Sequence, residues 1–436
     1  MAVTSNYLIP RLNGKNFLEY PSLGYLPIAL TLAMSERPPD YFVFLPIILL
    51  GTGTVFITFL IGKRLAGDRI GLASGFFLST MLGFVTLHRH CRVDPALLFF
   101  VTLSLYGFVT GYHVPEKCFR FFAVFYLAMA GAFLSKGIIG AAIPIGTVLI
   151  FLTARRDLTT TRKLFVGSGI LFFLVPVLLW VGSVWWLEGF GIFEEVIRQS
   201  LYRFSSPAAD HAQSFYYYFV PAFLHLMPWT LLPLALLWRR SEPDDSREAL
   251  SRSFLLKFAL AWCLTVFVGL FLASAKRLLY LGPILPPFAI LTALGWDRVR
   301  ERLPGARRWE FYGLITLFVV YTGTYQLFMI PSERKGSFRP VFKAVSSLQT
   351  DRPIYLVHPS EALLGASFFY LGKRAPVLNE QDLLQGRFIN QPGTTLVINL
   401  HSFPGQLLSY LRSHGYRLIL QKKYGKEGVC VYSNSS

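Results

Sequence analysis

Residues 41–87 read YFVFLPIILLGTGTVFITFLIGKRLAGDRIGLASGFFLSTMLGFVTL, and this stretch decides the fold class. It contains two apolar runs, 41–62 and 70–87, and a bilayer is crossed by roughly 20 such residues in a helix. Between the runs stand Lys63, Arg64 and Arg69, and basic turns of this kind are typical of the cytoplasmic side. The stretch therefore predicts two membrane-spanning helices joined by a cytoplasmic turn.

The composition of the whole chain agrees with this prediction. Of 436 residues, 53% are hydrophobic and only 15% are charged, whereas soluble domains carry roughly 25% charged residues. The net charge of +18 reflects Lys and Arg on cytoplasmic loops, and no basic, aromatic-interleaved module indicates nucleic-acid binding. Four widely separated cysteines, with no CxxC pair, argue against a disulfide framework or a structural zinc site.

Apolar runs predict about ten transmembrane helices. They are residues 41–62, 70–87, 95–112, 120–134, 137–154, 164–187, 216–238, 253–273, 278–296 and 309–330. The run at 23–34 is too short to span and predicts an interfacial helix. Nineteen Lys and Arg residues lie in one set of alternate loops and seven in the other, so the richer set is placed in the cytoplasm. Residues 1–40 and the chain after about 331 are then extracytoplasmic.

The composition changes after residue 331. The stretches RPIYLVH, TTLVINL and YRLILQKK predict short buried strands, and they alternate with EALLGASFFYLG and PGQLLSYLRS, which predict amphipathic helices. The predicted fold is therefore an α-helical polytopic membrane protein with a C-terminal extracytoplasmic α/β domain. Its predicted parts are a first outer loop at 1–40, a transmembrane domain at 41–330 with a long outer loop at 188–215, and the α/β domain at 331–436.

The few basic residues on the outer side are candidates for function, because ionisable groups beside apolar segments are costly. They are Arg89, Arg92, Lys136, Arg198, Arg203, Lys276 and Arg277. The motif HRHCRVDP, residues 88–95, is either a snorkelling cluster with an internal salt bridge or an anion site with the carboxylate of Asp94 beside it. Lys136 is likewise either a snorkelling side chain at a helix end or a functional cation.

The residue types indicate group transfer from a phosphorylated lipid. Lys276 and Arg277 stand beside Tyr280, and two adjacent cations suit a phosphate or pyrophosphate. A carboxylate such as Asp94 suits proton removal from an acceptor hydroxyl. A transporter is the rival interpretation, but it would be expected to show inverted repeats and interrupted helices near the midplane, and the sequence shows neither.

Taken in order, five motifs across residues 5–330 resemble the GT-C membrane glycosyltransferases of the ArnT/PMT-like group. They are YLIPRLNGKNFLEYPSLGY, HRHCRVDP, Lys136-Gly137, the segment from Glu194 through Arg203-Phe204 with the following Tyr216–Tyr218 and Pro228-Trp229, and SAKRLLYLGPILPPFAIL. The resemblance implies transfer of a pentose or hexose from a polyprenyl-phosphate carrier to a lipid, protein or glycan acceptor. It places the reaction at the outer face of a bacterial inner membrane.

The same resemblance implies roles for individual residues. Asp94 and Glu19 are the candidate catalytic carboxylates, and the donor phosphate is assigned to Arg89, Arg203, Lys276, Arg277 and Tyr280. Glu19 and His211 could hold a divalent metal if their loops converge, and no cofactor is otherwise implied.

The sequence departs from the family pattern in its first loop. The family carries its catalytic Asp there, soon after an N-terminal span, and neither precedes the matching segment here. The Lys of the family's E-K-P-P is Tyr20, and the second Pro is Ser22. We expect Met1 to be an internal methionine, so that the chain as given lacks one span and one catalytic carboxylate and can be inactive although its gene encodes an enzyme. The alternative is a non-catalytic remnant or a lipid-phosphate-binding subunit.

Overall fold

A computed structural model describes most of the chain. The described residues are 1, 6–12, 15–17, 19–34, 40–113, 118–157, 159–160, 164, 168–194, 197–198, 215–238, 247–273, 276–303, 310–324, 326–327, 337–348, 353–372, 375–379, 382, 385, 393–400, 405–424 and 427–434. They form two compact units, residues 1–11 with 16–314, and residues 12–15 with 315–436.

Two-residue strands form at Arg11–Leu12 (β1) and Lys15–Asn16 (β2), and the other regular structure described in the first unit is helical. Its helices are α1 (Leu26–Ala33), α2 (Asp40–Thr80), α3 (Leu82–Leu87), α4 (Asp94–His113), α5 (Cys118–Lys136), α6 (Ile138–Ala154), α7 (Leu171–Glu188), α8 (Phe219–His225), α9 (Arg247–Leu272) and α10 (Leu285–Arg302), followed by α11 (Glu310–Thr324) across the unit boundary. Short 3₁₀ helices occupy Ser22–Gly24, Ser168–Ile170, Phe215–Tyr218, Leu232–Leu237 and Leu278–Ile284.

Within the described ranges, six helices are long and apolar enough to cross a membrane. They are Tyr41–Thr80, Asp94–His113, Cys118–Lys136, Leu171–Glu188, Glu248–Leu272 and Leu278–Arg302, and the apolar helix Ile138–Ala154 is slightly shorter. The prediction of a polytopic helical membrane protein is therefore confirmed in its coarse form.

Helix α2 is folded back on itself at Gly67, where the backbone leaves the helical conformation with φ +88°. Its two halves touch, because a Cβ added to Gly62 would lie 2.9 Å from the Cα of Gly71. A Cβ added to Gly71 would lie 2.7 Å from the carbonyl oxygen of Phe59. Small residues let membrane helices approach closely. Residues 41–80 thus form two packed helices, as the separation of the two apolar runs by a basic turn predicts, and the end of the second run forms the separate helix α3.

The apolar run at 216–238 differs from the continuous span that its hydropathy predicts. It forms two 3₁₀ helices with α8 between them, and residues 226–231 form turns. Pro221, Pro228 and Pro233 are spaced along this run, and each removes a backbone N–H from the helical hydrogen-bond ladder. A hydropathy profile depends on side chains alone, so it does not detect the missing backbone N–H groups.

Aromatic packing fixes four helices around Phe108 of α4. The ring centroid of Phe108 lies 6.1 Å from those of Phe125 in α5 and Phe151 in α6, and 6.2 Å from that of Phe258 in α9. All four side chains are fully buried, and such aromatic pairs add stability beyond the area they bury. The ends of α4 and α5 are thereby held in a fixed relation to each other.

The second unit contains a five-stranded sheet. Its strands are β3 (Ile354–Val357), β4 (Val377–Leu378), β5 (Thr395–Asn399), β6 (Arg417–Tyr424) and β7 (Glu427–Ser433), in the order β4-β3-β5-β7-β6. Strands β4, β3 and β5 are parallel, whereas β7 pairs antiparallel with β5 and β6. Helices α12 (Arg339–Ser347) and α13 (Glu361–Leu371) contribute to one apolar cluster of the sheet, and α14 (Gly405–Ser413) contributes to another.

Candidate functional site

The centre of the candidate site is an ion pair between the first residue of α4 and the last residue of α5. The ammonium of Lys136 donates a hydrogen bond to the carboxylate of Asp94, and the two residues are only 4% and 8% exposed. Each end carries the charge that its helix dipole favours, an anion at an N-terminus and a cation at a C-terminus. Local sequence therefore stabilises both charges at the positions where the helices bring them together.

Two aromatic rings complete the surroundings of the Lys136 ammonium. The nitrogen lies 4.6 Å from the ring centroid of Tyr280 and 5.6 Å from that of Tyr20, both within the range of cation–π attraction. A snorkelling lysine would extend towards water, whereas this ammonium is buried among a carboxylate and two rings. The motif HRHCRVDP also differs from an internally paired cluster, because within the described residues Asp94 pairs with Lys136 rather than with Arg89 or Arg92.

The segment from Tyr20 to Gly24 is packed against the same place. A Cβ added to Gly24 would lie 2.8 Å from the carbonyl oxygen of Ser135 and from the Cβ of Val93. Ser135 and Val93 are the chain neighbours of the two charged residues. The segment from Tyr20 to Gly24 therefore covers the ion pair, and only glycine permits the contact at residue 24 without displacement.

Lys276 lies between α9 and the 3₁₀ helix at Leu278–Ile284, and it caps α9. Its ammonium donates to the carbonyl oxygen of Leu270 at 3.2 Å and to that of Ala273. The side chain is 3% exposed, and this burial lowers the pKa of the ammonium below its ordinary value. Because an ammonium has three donors, one N–H remains for a further acceptor.

The backbone of Arg277 is hydrogen-bonded to the side chain of Tyr218. Its backbone N–H donates to the Tyr218 hydroxyl at 3.1 Å, and that hydroxyl donates to the Arg277 carbonyl oxygen at 3.2 Å. Tyr218 is 2% exposed and follows the loop at 188–215, so this contact ties the end of that loop to the basic segment. Within the described part of the chain, the guanidinium of Arg277 forms no ion pair.

His88 begins the loop that leads to Asp94. Its Nδ1 lies 2.9 Å from the carbonyl oxygen of Phe84, and a Cβ added to Gly51 would lie 2.7 Å from its ring. Burial lowers the pKa of His88 to about 4, so the ring is neutral at neutral pH. The next residue, Arg89, is half-buried in the same loop.

Of the remaining predicted site residues, the structure describes Glu19 but neither Arg203 nor His211. Glu19 is half-buried and directly precedes Tyr20 in the first outer loop. Arg203 and His211 lie outside the described residues. Among the described residues, no three His, Cys, Asp or Glu side chains are grouped so that they could hold a metal ion.

Comparisons with known proteins agree with the arrangement of helices and motifs. Residues 21–180 match the family described as dolichyl-phosphate-mannose-protein mannosyltransferase. An uncharacterised protein of Aquifex aeolicus is 27% identical over 67% of this chain. The undecaprenyl phosphate-alpha-4-amino-4-deoxy-L-arabinose arabinosyl transferase of Shewanella sediminis is 24% identical over 78% of this chain. The chain spans 56% and 62% of the length of these two relatives.

The fold is that of a solved membrane enzyme. The crystal structure of ArnT from Cupriavidus metallidurans bound to undecaprenyl phosphate superposes with a TM-score of 0.80 at 17% identity. The match covers the whole of this chain and 92% of that one. The chain is therefore related in sequence and in fold to the ArnT/PMT-like GT-C glycosyltransferases, which confirms the resemblance predicted from its motifs.

Proposed function

We propose that this chain is a membrane glycosyltransferase that moves a sugar from a polyprenyl-phosphate carrier to an acceptor at the outer face of a bacterial inner membrane. The observation that carries the proposal is the buried pair of Asp94 and Lys136 beneath the rings of Tyr20 and Tyr280. The pair lies at the ends of two helices, on the side that the loop charges assign to the exterior.

The proposed topology has ten spans, with residues 1–40 and 331–436 outside the cytoplasm. It is supported by the fold of α2, whose turn at Gly67 carries three of the basic residues assigned to the cytoplasm. The transmembrane part would run from residue 41 to 330, with the long loop 188–215 on the outer face.

The proposed reaction is a displacement at the anomeric carbon of the donor sugar. The acceptor oxygen forms a new bond to that carbon, and the bond from the carbon to the carrier phosphate breaks, with its electron pair leaving on the phosphate. Asp94 takes the acceptor proton or orients the acceptor, and Glu19, next to Tyr20, is the second candidate carboxylate. The acceptor is a lipid, protein or glycan, and similarity to undecaprenyl phosphate-aminoarabinose transferases favours an undecaprenyl phosphate-linked aminoarabinose as the first donor to try.

The leaving phosphate is assigned to the basic residues near Tyr280. Lys276 offers its third N–H. Arg277 offers its guanidinium, which forms no ion pair within the described residues, while its backbone N–H donates to the Tyr218 hydroxyl. Arg89 and Arg203 complete the proposed set. A guanidinium suits a phosphate because it can donate two parallel hydrogen bonds.

A divalent metal held by Glu19 and His211 stays a separate proposal. Two ligands fall short of the usual three or four protein ligands of a zinc site. In the described part of the chain, no three His, Cys, Asp or Glu side chains are grouped so that they could hold a metal ion.

The test is release of the polyprenyl phosphate from a polyprenyl-phosphate sugar by the full chain in proteoliposomes. Asp94→Asn and Lys136→Met should each lower the rate by about 100-fold or more if the pair serves the chemistry. The matched controls are Lys63→Met and Asp68→Asn, which neutralise an exposed Lys–Asp pair of 2.7 Å at the turn of α2 and should leave the rate unchanged. Carrier binding without any release would instead support a lipid-phosphate-binding subunit.

A further inference from the structure

Three side chains far apart in sequence form a closed triangle of hydrogen bonds outside the candidate site. Arg11 donates through Nη2 to Oε1 of Glu188 at 3.0 Å and through Nε to Oδ1 of Asn16 at 3.1 Å. Asn16 donates through Nδ2 to Oε2 of Glu188 at 2.8 Å. Each carboxylate oxygen of Glu188 thus accepts one bond, and every member of the triangle contacts the other two.

The triangle joins the first outer loop to the end of α7. Glu188 is the last residue of that helix, and the loop closes on itself where the Phe17 N–H donates to the Pro10 carbonyl oxygen at 2.8 Å. An apolar contact accompanies it, because Ile9 and Val184 are both fully buried against each other. The loop is therefore attached to α7 by both polar and apolar contacts.

The position of this attachment links it to the ion pair. Only three residues separate Asn16 from Tyr20, whose ring lies over the Lys136 ammonium, and Gly24 fixes the other end of the segment. On the far side, α7 ends at Gly189 with φ +78°, and the long outer loop follows. Glu188 thus stands at the junction of the two outer loops that flank the site.

We propose that Glu188 is a positioning residue, which, through Arg11 and Asn16, holds the first outer loop so that Tyr20 stays over Lys136. We name the triangle of Arg11, Asn16 and Glu188 the loop latch. The consequence for sugar transfer rests on the proposed function, whereas the effect on loop position does not.

The side chains of the loop latch predict how strongly it holds the loop and whether its two charges can be exchanged. The side chains of Arg11 and Glu188 are 34% and 23% exposed. Their ion pair should therefore shift the equilibrium between the attached and the detached loop by about two- to fivefold towards the attached form. The amide of Asn16 both donates and accepts, so it can serve a latch with the two charges exchanged. Exchanging the two charges should therefore restore the attachment of the loop that each single substitution removes.

The experiment measures the accessibility of a thiol placed between the loop latch and the site. Phe17→Cys is introduced into the full chain in nanodiscs, with the more accessible native thiols removed as Cys91→Ser and Cys118→Ser. Glu188→Gln and Arg11→Glu should each raise the alkylation rate by about two- to fivefold. The exchanged pair, Arg11→Glu with Glu188→Arg, should return the rate to that of the parent.

A matched control and a second measurement make the outcomes decisive. Glu194→Gln changes an exposed glutamate in the helical turn after the latch and should leave alkylation unchanged. Equal rates in Glu188→Gln and the parent, or no recovery in the exchanged pair, would overturn the loop latch. If the parent transfers sugar, the positioning role would be overturned by a transfer rate that stays the same in Glu188→Gln and Arg11→Glu while their alkylation rate rises. If the parent transfers none, the proposed function fails and alkylation alone still decides the latch.

Discussion

Replacing Lys136 alone by Met should destabilise the first unit strongly. The change leaves the carboxylate of Asp94, which is 8% exposed, without its ammonium. Removal of one partner from a buried ion pair costs about 3–5 kcal/mol, because the other charge stays buried and uncompensated. The N-terminus of α4 offsets about 0.3–1 kcal/mol of this for a carboxylate in its first turn. Loss of the contact with Tyr280 acts in the opposite direction by about 0.5–2 kcal/mol, so the net cost stays near 3–5 kcal/mol.

The double variant Asp94→Asn with Lys136→Met should lose much less stability than either single variant. It replaces both charges by neutral side chains of similar size, and such replacements of buried pairs are often neutral or stabilising. The coupling between the two positions should therefore be at least about 2 kcal/mol, within the range seen for residues in direct contact. Sugar transfer should stay lost in the double variant, since both charged groups assigned to the chemistry are absent.

The measurement is a denaturant titration of each variant in nanodiscs, followed by tryptophan fluorescence. The exposed pair of Lys63 and Asp68 supplies the control, because neutralising either residue should change the free energy of unfolding by no more than about 1 kcal/mol. Two results would refute the reasoning. One is a Lys136→Met variant as stable as the parent, and the other is a double variant whose loss equals the sum of the two single losses.

Three further changes test other parts of the site. Tyr280→Leu should destabilise the fold by about 0.5–2 kcal/mol in the same titration, because it removes a cation–π contact that Tyr280→Phe retains. Gly24→Ala should lower sugar transfer, since its Cβ would lie 2.8 Å from the carbonyl oxygen of Ser135, whereas Gly269→Ala, with nothing within 4 Å, should not. The folded-state pKa of His88 is about 4 against an ordinary 6.5, so the unfolded state takes up a proton that the folded state does not. Stability present above pH 6.5 should therefore fall as the pH is lowered towards 4, and His88→Gln should abolish this part of the fall in a titration at each pH.

The membrane fold could be predicted where side-chain composition determines structure. Residues 41–80 form two packed helices, as expected when two apolar runs that match a bilayer are separated by a charged turn. The run at 216–238 is equally apolar, yet its three prolines break the backbone hydrogen-bond ladder.

The pairing within the site was only partly accessible from sequence. Asp94 begins one predicted span and Lys136 ends the next, so antiparallel neighbours bring both to the same side of the membrane. That topology was predicted, but the rotation of each helix about its axis was not, because both helices are apolar on nearly every face. Asp94 and Lys136 therefore stand in separate clusters of the sequence, and the sequence alone leaves the role of Lys136 open.

The departure at Tyr20 gains a physical meaning from this arrangement. Where the family pattern has a loop lysine, this chain presents a ring to the Lys136 ammonium, at 5.6 Å from the ring centroid. A second ammonium at that position would repel the first one, whereas a ring attracts it. Because Asp94 already balances Lys136, the pair carries no net charge, and it offers little attraction to a lipid phosphate while it stays closed. On the proposed function, the charge of the donor must therefore be met mainly by Lys276 and Arg277, which makes these two residues the determinants of donor affinity and leaves the buried pair to act on the acceptor.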